Sequence, residues 1–396
     1  MGDILTNLRH QGAARVLPVL PESVQAKIGN PSATWKPRDL RQVASAPQTR
    51  TRLLIAPANY AGQGYWWARA AETLPGVGAH CLQTYDPARW SRFPADTHVR
   101  TNVWGYSTIW KARQRRELEK FTHVLVEAGR PILQDGGWSL VTRDIDLLRD
   151  MGLKVGLIWH GTDVRLPSRH LELEPFSPYR DADPNWVKSL EAQAQANHDL
   201  ADALGLPEFV SNPYLLSFRP QATWLPTLSD PERWNADLPA DDGHLPVVLH
   251  VPSQRVWKGT DIVRPILQRL EKEGLIRYID VTVVPPEEMP ALVASADIVV
   301  DGILNGQYGV ASLEAMLSRR VAVAHTWKQT RGAIQEGFGV EVPVVEADPD
   351  SFEDVIRGLA ADPEQRRSIG SAGRDFTLKV HSEQLVASAL EPFLTS

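Results

Sequence analysis

The chain has a single cysteine, Cys81, among 396 residues, which excludes a fold stapled by disulfides and favours a reducing compartment. Cys81 lies in an apolar segment, so we expect a buried small hydrophobe and not a nucleophile. No apolar run approaches the roughly 20 residues of a membrane span, and the N-terminus lacks the apolar stretch of a signal peptide. The net charge of −6 argues against nucleic acid as a partner. We therefore expect a cytoplasmic protein.

The composition, 43% hydrophobic and 23% charged, is that of an ordinary globular protein. The length of 396 residues favours two domains. Short apolar segments alternate with helical patterns on both sides of a proline-rich, acidic stretch, residues 226–245, which we predict to be a linker. Strands that alternate with helices imply parallel sheets. The predicted fold class is α/β, with two Rossmann-like, doubly wound domains that face a cleft.

We predict an N-terminal extension over residues 1–50, a first domain over 51–225, a second over 246–380, and a C-terminal helix over 381–396 long enough to cross back to the first domain. Predicted strands are residues 52–57, 79–85, 123–127, 153–159, 247–251, 278–284, 298–300 and 321–324. Predicted helices are residues 64–74, 138–151, 261–272, 287–294 and 311–318.

The segment Asp297–Met316, DIVVDGILNGQYGVASLEAM, is the most informative part of the chain. Its apolar run ends at the turn-forming residues Asn305 and Gly306, and a helix is predicted to begin near Gly309. The first turn of a helix has unpaired N–H groups and the positive end of the dipole, so it favours an anion. Glu314 lies farther along that helix. Phosphate-binding amides followed by a carboxylate are what a nucleotide-sugar site requires.

Three segments resemble the retaining GT-B glycosyltransferases of family 4, also called group 1. His250–Asp261 (HVPSQRVWKGTD) resembles that family's strand, loop and helix with an Arg and a Lys-Gly pair. Val284–Val300 (VPPEEMPALVASADIVV) resembles the helix and strand before the donor loop, and Tyr308–Met316 (YGVASLEAM) its aromatic, Gly and Glu-Ala-Met pattern. The N-terminal half matches more loosely.

The resemblance implies a donor site in the second domain, with Arg255 and Lys258 as catalytic residues. These cations would stabilise the charge that grows on a diphosphate leaving group. Cations at a helix start oppose the helix dipole, which favours a functional role over a merely solvated one. Glu314 would accept hydrogen bonds from the ribose. The other donor-binding residues implied there are Val284, Tyr308, Gly309 and Val310.

In the first domain, the segment Asn59–Gly64 (NYAGQG) resembles the family's glycine loop under the donor phosphates, and it supplies Gly62 and Gly64. A dinucleotide-binding G-x-G-x-x-G motif is disfavoured because Trp67 occupies the place of the third glycine. Trp66 and Trp67 lie beside this loop, and aromatic faces can stack on sugars, so both are candidate acceptor contacts, although most tryptophans are core residues.

The strand end Trp159-His160-Gly161-Thr162-Asp163 resembles a His-Gly-Ser/Thr-Asp element that faces the reacting sugar in the family. Ligands of α/β proteins bind at such carboxyl ends. His160 is therefore a catalytic candidate and Asp163 an acceptor-side candidate, with a structural histidine as the alternative.

One position departs from the family, which usually has two glutamates eight positions apart. Glu314 is the second, and the first falls at Gly306, which has no side chain. That glutamate normally contacts the donor sugar. We expect its absence to loosen donor specificity unless Asp301 or Asn305 reaches inward instead.

We expect no metal site. The Asp-x-Asp triplets are Asp144/Asp146, Asp181/Asp183 and Asp348/Asp350. The first lies in a helical pattern, where side chains two residues apart diverge. The other two precede helical segments and are interpreted as helix starts. GT-B enzymes characteristically need no metal. No other cofactor is expected, because a nucleotide sugar is a co-substrate.

The leading hypothesis is a retaining transferase of a hexose-type sugar from a UDP- or GDP-sugar to a hydroxyl of a glycan, a lipid-linked or a small-molecule acceptor. In the family the donor phosphate deprotonates the acceptor, so no protein nucleophile is required. The alternative is a non-catalytic nucleotide-sugar-binding scaffold or partner subunit, suggested by Gly306. A GT-B epimerase or phosphorylase has no supporting signature.

The basic run Lys111–Lys120 leaves peripheral contact with the inner face of an anionic membrane open, although its interspersed glutamates favour a solvated helix face.

Overall fold

The computed structural model describes residues 35–88, 92–133, 141–239, 243–252, 255–281 and 284–395. Most of the predicted N-terminal extension, part of the predicted linker and Trp138 at the predicted start of a helix lie outside these residues. The chain divides into two compact units. Unit 1 is Met1–Ile158, Gly205–Glu208 and Leu390–Ser396, and unit 2 is Trp159–Leu204 and Phe209–Ala389. The domain limits predicted above remain predictions.

The first half of the chain alternates strands and helices. The strands are β1 (Thr51–Ala56), β2 (Val77–Tyr85), β3 (Thr97–Arg100), β4 (His123–Glu127), β5 (Lys154–Trp159), β6 (Glu208–Val210) and β7 (Thr223–Trp224). The helices are α1 (Gln63–Ala71), α2 (Thr101–Tyr106), α3 (Thr108–Leu118), α4 (Val141–Asp150), α5 (Pro167–Leu173) and α6 (Pro184–Leu204). Short 3₁₀ turns occupy Asp39–Arg41, Tyr60–Gly62 and Pro213–Ser217.

The second half repeats the pattern. Its strands are β8 (Val247–His250), β9 (Arg277–Asp280), β10 (Ile298–Val300), β11 (Val321–Ala324) and β12 (Val345–Glu346). Its helices are α7 (Arg255–Lys258), α8 (Thr260–Lys272), α9 (Met289–Ala294), α10 (Val310–Leu317), α11 (Lys328–Phe338), α12 (Phe352–Ala361), α13 (Pro363–Val380) and α14 (Glu383–Thr395).

Both sheets are built from parallel strands, as predicted. Within the described residues, one sheet has seven strands in the order β3-β2-β1-β4-β5-β6-β7, and the other has five in the order β12-β11-β10-β8-β9. In the smaller sheet β10 pairs with β8, with Ile298 opposite Val248 and Val299 opposite Leu249. Helices separate the strands, as parallel connections require.

The five-stranded sheet is buried on both faces, which explains its nearly continuous apolar strands. Successive residues of a strand point to opposite faces. One face contributes Leu249, Val299, Ala322 and Ala324 to a core with Leu313 and Phe376. The other contributes Val248, Val300, Val321 and Val323 to a core with Val263 and Phe352.

Among the predicted elements, helix α1 ends at Ala71 and not at residue 74, and strand β9 and helix α9 also depart from prediction. Strand β9 ends at Asp280, short of the predicted end at residue 284, and residues 282–283 are not described. Helix α9 begins at Met289, after the predicted start at residue 287, because residues 285–288 form a turn closed by a hydrogen bond from Glu288 N to Pro285 O, and Pro290 supports the first helical turn. In the described part of the chain, no helix is both long and apolar enough to cross a membrane.

Candidate functional site

The segments that follow β8 and β10 meet at one edge of the five-stranded sheet, because these strands are parallel neighbours. After β8 the chain forms α7, Gly259 and α8. After β10 it forms a loop, residues 301–309, and then α10. Most of the donor residues predicted from the sequence lie at this edge, in unit 2, whereas Gly62 and Gly64 lie in unit 1.

Gly259 lets these two segments approach closely. Its φ is +67°, and a Cβ there would lie 2.6 Å from Ile303 Cγ1, so only glycine fits. The buried His250 ring links the strands to α8. Its Nδ1 lies 3.0 Å from Val300 O, and its Nε2 lies 3.0 Å from Thr260 Oγ1. Burial lowers the pKa of His250 to about 4, so the ring is neutral and can donate on one side and accept on the other.

The Asp301 carboxylate lies at the centre of the site. Its side chain is 1% exposed, and Oδ1 forms an ion pair with Lys258 Nζ. Oδ2 accepts hydrogen bonds from Gly309 N at 2.9 Å, Ser312 N at 3.2 Å and Ser312 Oγ at 2.7 Å. The anion at the start of α10 is therefore a side chain of the protein. This corrects the expectation that Gly309 would offer its amide to a phosphate.

Glu314 and Lys258 lie close enough for their charges to interact. Burial raises the pKa of Glu314 to about 8, although Arg233 and Lys258 oppose this shift. Burial also lowers the pKa of Lys258 to about 8, against the attraction of Glu314. Groups poised to titrate near neutrality are typical of functional sites.

Arg233 is a site residue that sequence analysis missed, because it lies in the predicted linker. Its Nη2 donates to Pro286 O at 2.5 Å, and its charge acts on Glu314. Arg233 thus lies between Glu314 and the segment that begins at the predicted donor-binding residue Val284. An arginine in an acidic, proline-rich stretch carries no signal of its own.

Two predicted donor residues are placed differently from expectation. Arg255 pairs with Asp261 at 2.6 Å, and these side chains are 49% and 76% exposed, so this is a surface ion pair. Tyr308 is buried, with its hydroxyl 3.0 Å from His381 Nε2, so its side chain belongs to the core and not to a donor pocket. Tyr308 O still accepts a hydrogen bond from Asn212 Nδ2 at 3.1 Å.

No side chain fits at Gly306, because the Trp327 ring already occupies the space. Its φ is +68°, and a Cβ would lie 1.9 Å from Trp327 Nε1. Trp327 Nε1 donates to Glu174 Oε2 at 2.5 Å, and the Glu174 side chain is 1% exposed. Packing of Trp327 thus explains why no glutamate stands at Gly306. Sequence analysis missed Glu174, because its partners are distant along the chain.

A second group missed from the sequence surrounds Arg165, which is buried beside α7. Its guanidinium lies 4.5 Å from the Trp257 ring and donates to Tyr179 Oη at 3.0 Å and Tyr214 Oη at 2.8 Å. Trp257 directly precedes Lys258, so this cation–π contact holds α7 in place.

His160 and Asp163 lie in unit 2. Asp163 is buried and accepts hydrogen bonds from His160 N at 2.8 Å and Gly161 N at 2.6 Å. Asp163 therefore shapes the turn that carries His160, which is a different role from the predicted acceptor contact. His160 O accepts from Ser211 Oγ at 3.3 Å, next to Asn212, which binds the donor loop.

The remaining candidates lie in unit 1. Gly62 has φ +76°, and a Cβ on Gly64 would lie 3.2 Å from both Cys81 Sγ and Glu127 Oε1, so the glycine loop packs tightly on the sheet. Glu127 was missed: it is fully buried at the end of β4 and accepts from Ala58 N and Asn59 N, both at 2.8 Å. These two amides therefore bind a carboxylate and not a phosphate.

The two tryptophans beside this loop differ in exposure. Trp66 is half-buried and remains an acceptor candidate. Trp67 is 0% exposed, so it is a core residue with no face for a sugar, and the prediction of an acceptor contact for it is wrong. Cys81 is also buried, as predicted.

Among the described residues, no group of three or more His, Cys, Asp or Glu side chains could hold a metal ion. Two of the Asp-x-Asp triplets are helix starts, as predicted. Asp183 accepts from the first amides of α6 at 2.9 Å, and Asp348 accepts from Ser351 N at 2.9 Å just before α12. Asp144 is buried and accepts from Leu133 N at 2.6 Å.

Comparison with solved structures decides the fold. Sucrose-phosphate synthase from Thermosynechococcus elongatus superposes with a TM-score of 0.55 at 15% identity, over 87% of this chain and 98% of that one. HepE of Anabaena, in complex with UDP and glucose, gives 0.52 at 12% identity over 87% and 99% of the two chains. A glycosyltransferase from Rickettsia africae ESF-5 gives 0.52 at 11% identity over 86% and 97%.

The fold is GT-B. The predicted fold class is confirmed, and at these low identities the likeness extends to the fold alone. A family model described as Glycosyl transferase-like matches residues 254–391, which include α7, the loop after β10 and α10. No curated protein sequence matches the chain.

Proposed function

We propose that this GT-B protein transfers a hexose-type sugar from a UDP- or GDP-sugar to a hydroxyl of a glycan, lipid-linked or small-molecule acceptor, with retention of configuration and without a metal. The observation that carries the proposal is the cluster of Lys258, Asp301 and Glu314 around the start of α10, inside the segment that matches the glycosyl transferase-like model. HepE, a structure of the same fold, binds UDP and glucose, which favours UDP as the nucleotide.

In this proposal the diphosphate binds between Lys258 and the first turn of α10. Lys258 supplies a compact charge, and the helix supplies amides and the positive end of its dipole. Asp301 occupies the amides of Gly309 and Ser312. The first-turn amides that helix geometry leaves for the phosphate are those of Val310 and Ala311. Charge that grows on the leaving diphosphate is then stabilised by fixed groups.

Glu314 binds the ribose. Its pKa of about 8 keeps much of the carboxyl neutral at pH 7, so it can donate as well as accept a hydrogen bond. A neutral group also avoids repulsion of the nearby diphosphate. Arg233, beside Glu314 and Pro286, is placed to contact the nucleoside. No protein nucleophile is needed if the donor phosphate itself deprotonates the acceptor hydroxyl.

The non-catalytic scaffold remains the second candidate, and Gly306 favours it. The position that carries a sugar-contacting glutamate in the resembling family is filled here by Trp327. Binding of UDP or GDP without turnover of any nucleotide sugar would support that alternative.

The test compares Lys258→Ala with Lys272→Ala, which removes the same charge from an exposed position on α8. Lys258→Ala should weaken UDP about tenfold to hundredfold, since a charge-assisted hydrogen bond contributes about 1.5–3 kcal/mol. Uridine, which lacks the diphosphate, should bind almost unchanged, and Lys272→Ala should affect neither ligand. Titration calorimetry with UDP, GDP and uridine measures this. Equal losses for UDP and uridine would remove Lys258 from the phosphate site.

A further inference from the structure

We propose that Asp301 is the positioning residue of this site: it fixes Lys258 against the first turn of α10 and sets the net charge that a diphosphate meets. This inference rests on the proposed function, because it names the group that controls the same site.

The geometry places Asp301 between the two phosphate-binding elements. One carboxylate oxygen pairs with Lys258 and the other accepts three hydrogen bonds from Gly309 and Ser312. A buried carboxylate is stable only when its oxygens are paired, and this one is fully engaged. Displacing it would leave a buried charge without donors, so we infer that it stays in place when a ligand binds.

The ammonium group of Lys258 is held at the mouth of α10 as a result. A Cβ built on Gly309 would lie 3.2 Å from Asp301 Oδ2 and 3.7 Å from Lys258 Nζ. A lysine has three N–H donors, and one is directed to Asp301. The other donors are then aimed by this contact, whereas a lysine without it would sample many rotamers at a cost in side-chain entropy.

The ion pair of Lys258 and Asp301 also has no net charge. A diphosphate approaching Lys258 is attracted by the ammonium and repelled by the carboxylate behind it. The Asp301 carboxylate therefore lowers the affinity of the site for a diphosphate below the affinity that Lys258 alone would give. Moderate affinity of this kind suits an enzyme that must release UDP after each cycle.

Asp301→Asn separates the two effects of the carboxylate. The amide oxygen can still accept from Gly309 and Ser312, so the cap on α10 is largely kept, but the negative charge is lost and Lys258 faces an NH₂ group. We expect UDP to bind about tenfold more tightly, since one charge removed at this range is worth about a factor of ten. We expect kcat to fall at least about tenfold, because Lys258 is no longer aimed.

The matched control is Asp280→Asn, which removes one negative charge from a surface pair with Arg264 in the same unit. It should change neither UDP affinity nor kcat. Lys258→Met provides the background for a double-mutant cycle. If Asp301 acts through Lys258, Asp301→Asn should lose its effect on kcat in that background.

A purely structural role for Asp301 predicts a different pattern: weaker UDP binding together with a lower melting temperature. That pattern, or identical behaviour of Asp301→Asn and Asp280→Asn, would overturn the inference while leaving the proposed function intact. If the wild-type protein binds neither UDP nor GDP, the proposed function itself fails. Should Asp301→Asn not fold, Asp301→Glu keeps the charge but moves it by one methylene. It should lower kcat without tightening UDP, and unchanged kcat would contradict the role of Asp301.

Discussion

At the scale of single residues, the loop before α10 is determined by what packs on it. Gly306 has a left-handed φ of +68°, and its O accepts from Trp327 N at 2.9 Å. The Trp327 ring is tied to Glu174. Any side chain at Gly306 must displace an indole that is itself fixed, so the packing of unit 2 leaves no room for a glutamate at this position.

This argument predicts that Gly306→Ala destabilises the protein more than a glycine substitution with backbone strain alone. Gly274 is the control, because its φ is +74° and a Cβ there would meet nothing within 4 Å. Both variants pay about 1–2 kcal/mol for the left-handed conformation. Gly306→Ala should lose roughly a further 1–3 kcal/mol through the clash with Trp327. Urea unfolding measures both, and equal losses would contradict the packing argument.

At the scale of elements, local signals predicted the strands well. The bounds of β4, β10 and β11 agree with the structure, because each is a short, buried apolar run between turn residues. The strands β6, β7 and β12 have only two or three residues, too few for a periodicity to emerge. Helix α5 has seven residues and begins at a proline.

The residues of the candidate site also divide into those that a local sequence pattern predicts and those that it does not. Lys258 and Glu314 follow local patterns, so the sequence alone makes them candidates, whereas the expectation for the Gly309 amide was wrong. Asp301 was considered only as a substitute for a missing glutamate, and its real partners lie on two different elements. Arg233 and Glu174 come from distant segments, and no local pattern marks a residue whose partners are set by tertiary packing.

His325, which follows β11, forms ion pairs with Glu174 at the end of α5 and with Glu346 in β12. His325 Nε2 lies 2.7 Å from Glu174 Oε2, and Nδ1 lies 2.5 Å from Glu346 Oε1. Burial alone would lower the pKa of His325, but the two carboxylates outweigh it and raise the pKa from 6.5 to about 9. The imidazolium is therefore the form present at neutral pH, and it holds the end of α5 beside Trp327.

The raised pKa of His325 determines how the stability of the protein depends on pH. A raised folded-state pKa means that the stabilisation is complete below about pH 6.5 and is lost as pH rises through about 9. His325→Gln, which cannot be charged, should lower the free energy of unfolding on the order of 3 kcal/mol near pH 6, just below the unfolded-state pKa of 6.5. The difference from the wild-type protein should shrink across that interval. Denaturant unfolding at several pH values measures it, and a constant difference would show that the charge of His325 contributes nothing.

At the scale of the whole molecule, the chemistry proposed here relies on charges that the chain itself supplies. Lys258 and the dipole of α10 face the proposed diphosphate position, whereas the Asp183 carboxylate already caps α6 and the Asp348 carboxylate already accepts from backbone amides in the turn before α12. A metal would need carboxylates that are free to coordinate it.

We therefore predict that purified protein keeps its full rate of sugar transfer after dialysis against excess EDTA. The physical reason is that fixed protein groups stabilise the diphosphate charge without a Lewis acid. The measurement is direct chromatographic detection of released UDP, because coupling enzymes often need Mg²⁺ and would mask the result. Lys258→Ala treated in the same way provides the control, since its low rate should be insensitive to both EDTA and Mn²⁺. If EDTA abolishes turnover in the wild-type protein and Mn²⁺ restores it, the charge at the diphosphate comes from a metal, and the role given to Lys258 and α10 is wrong.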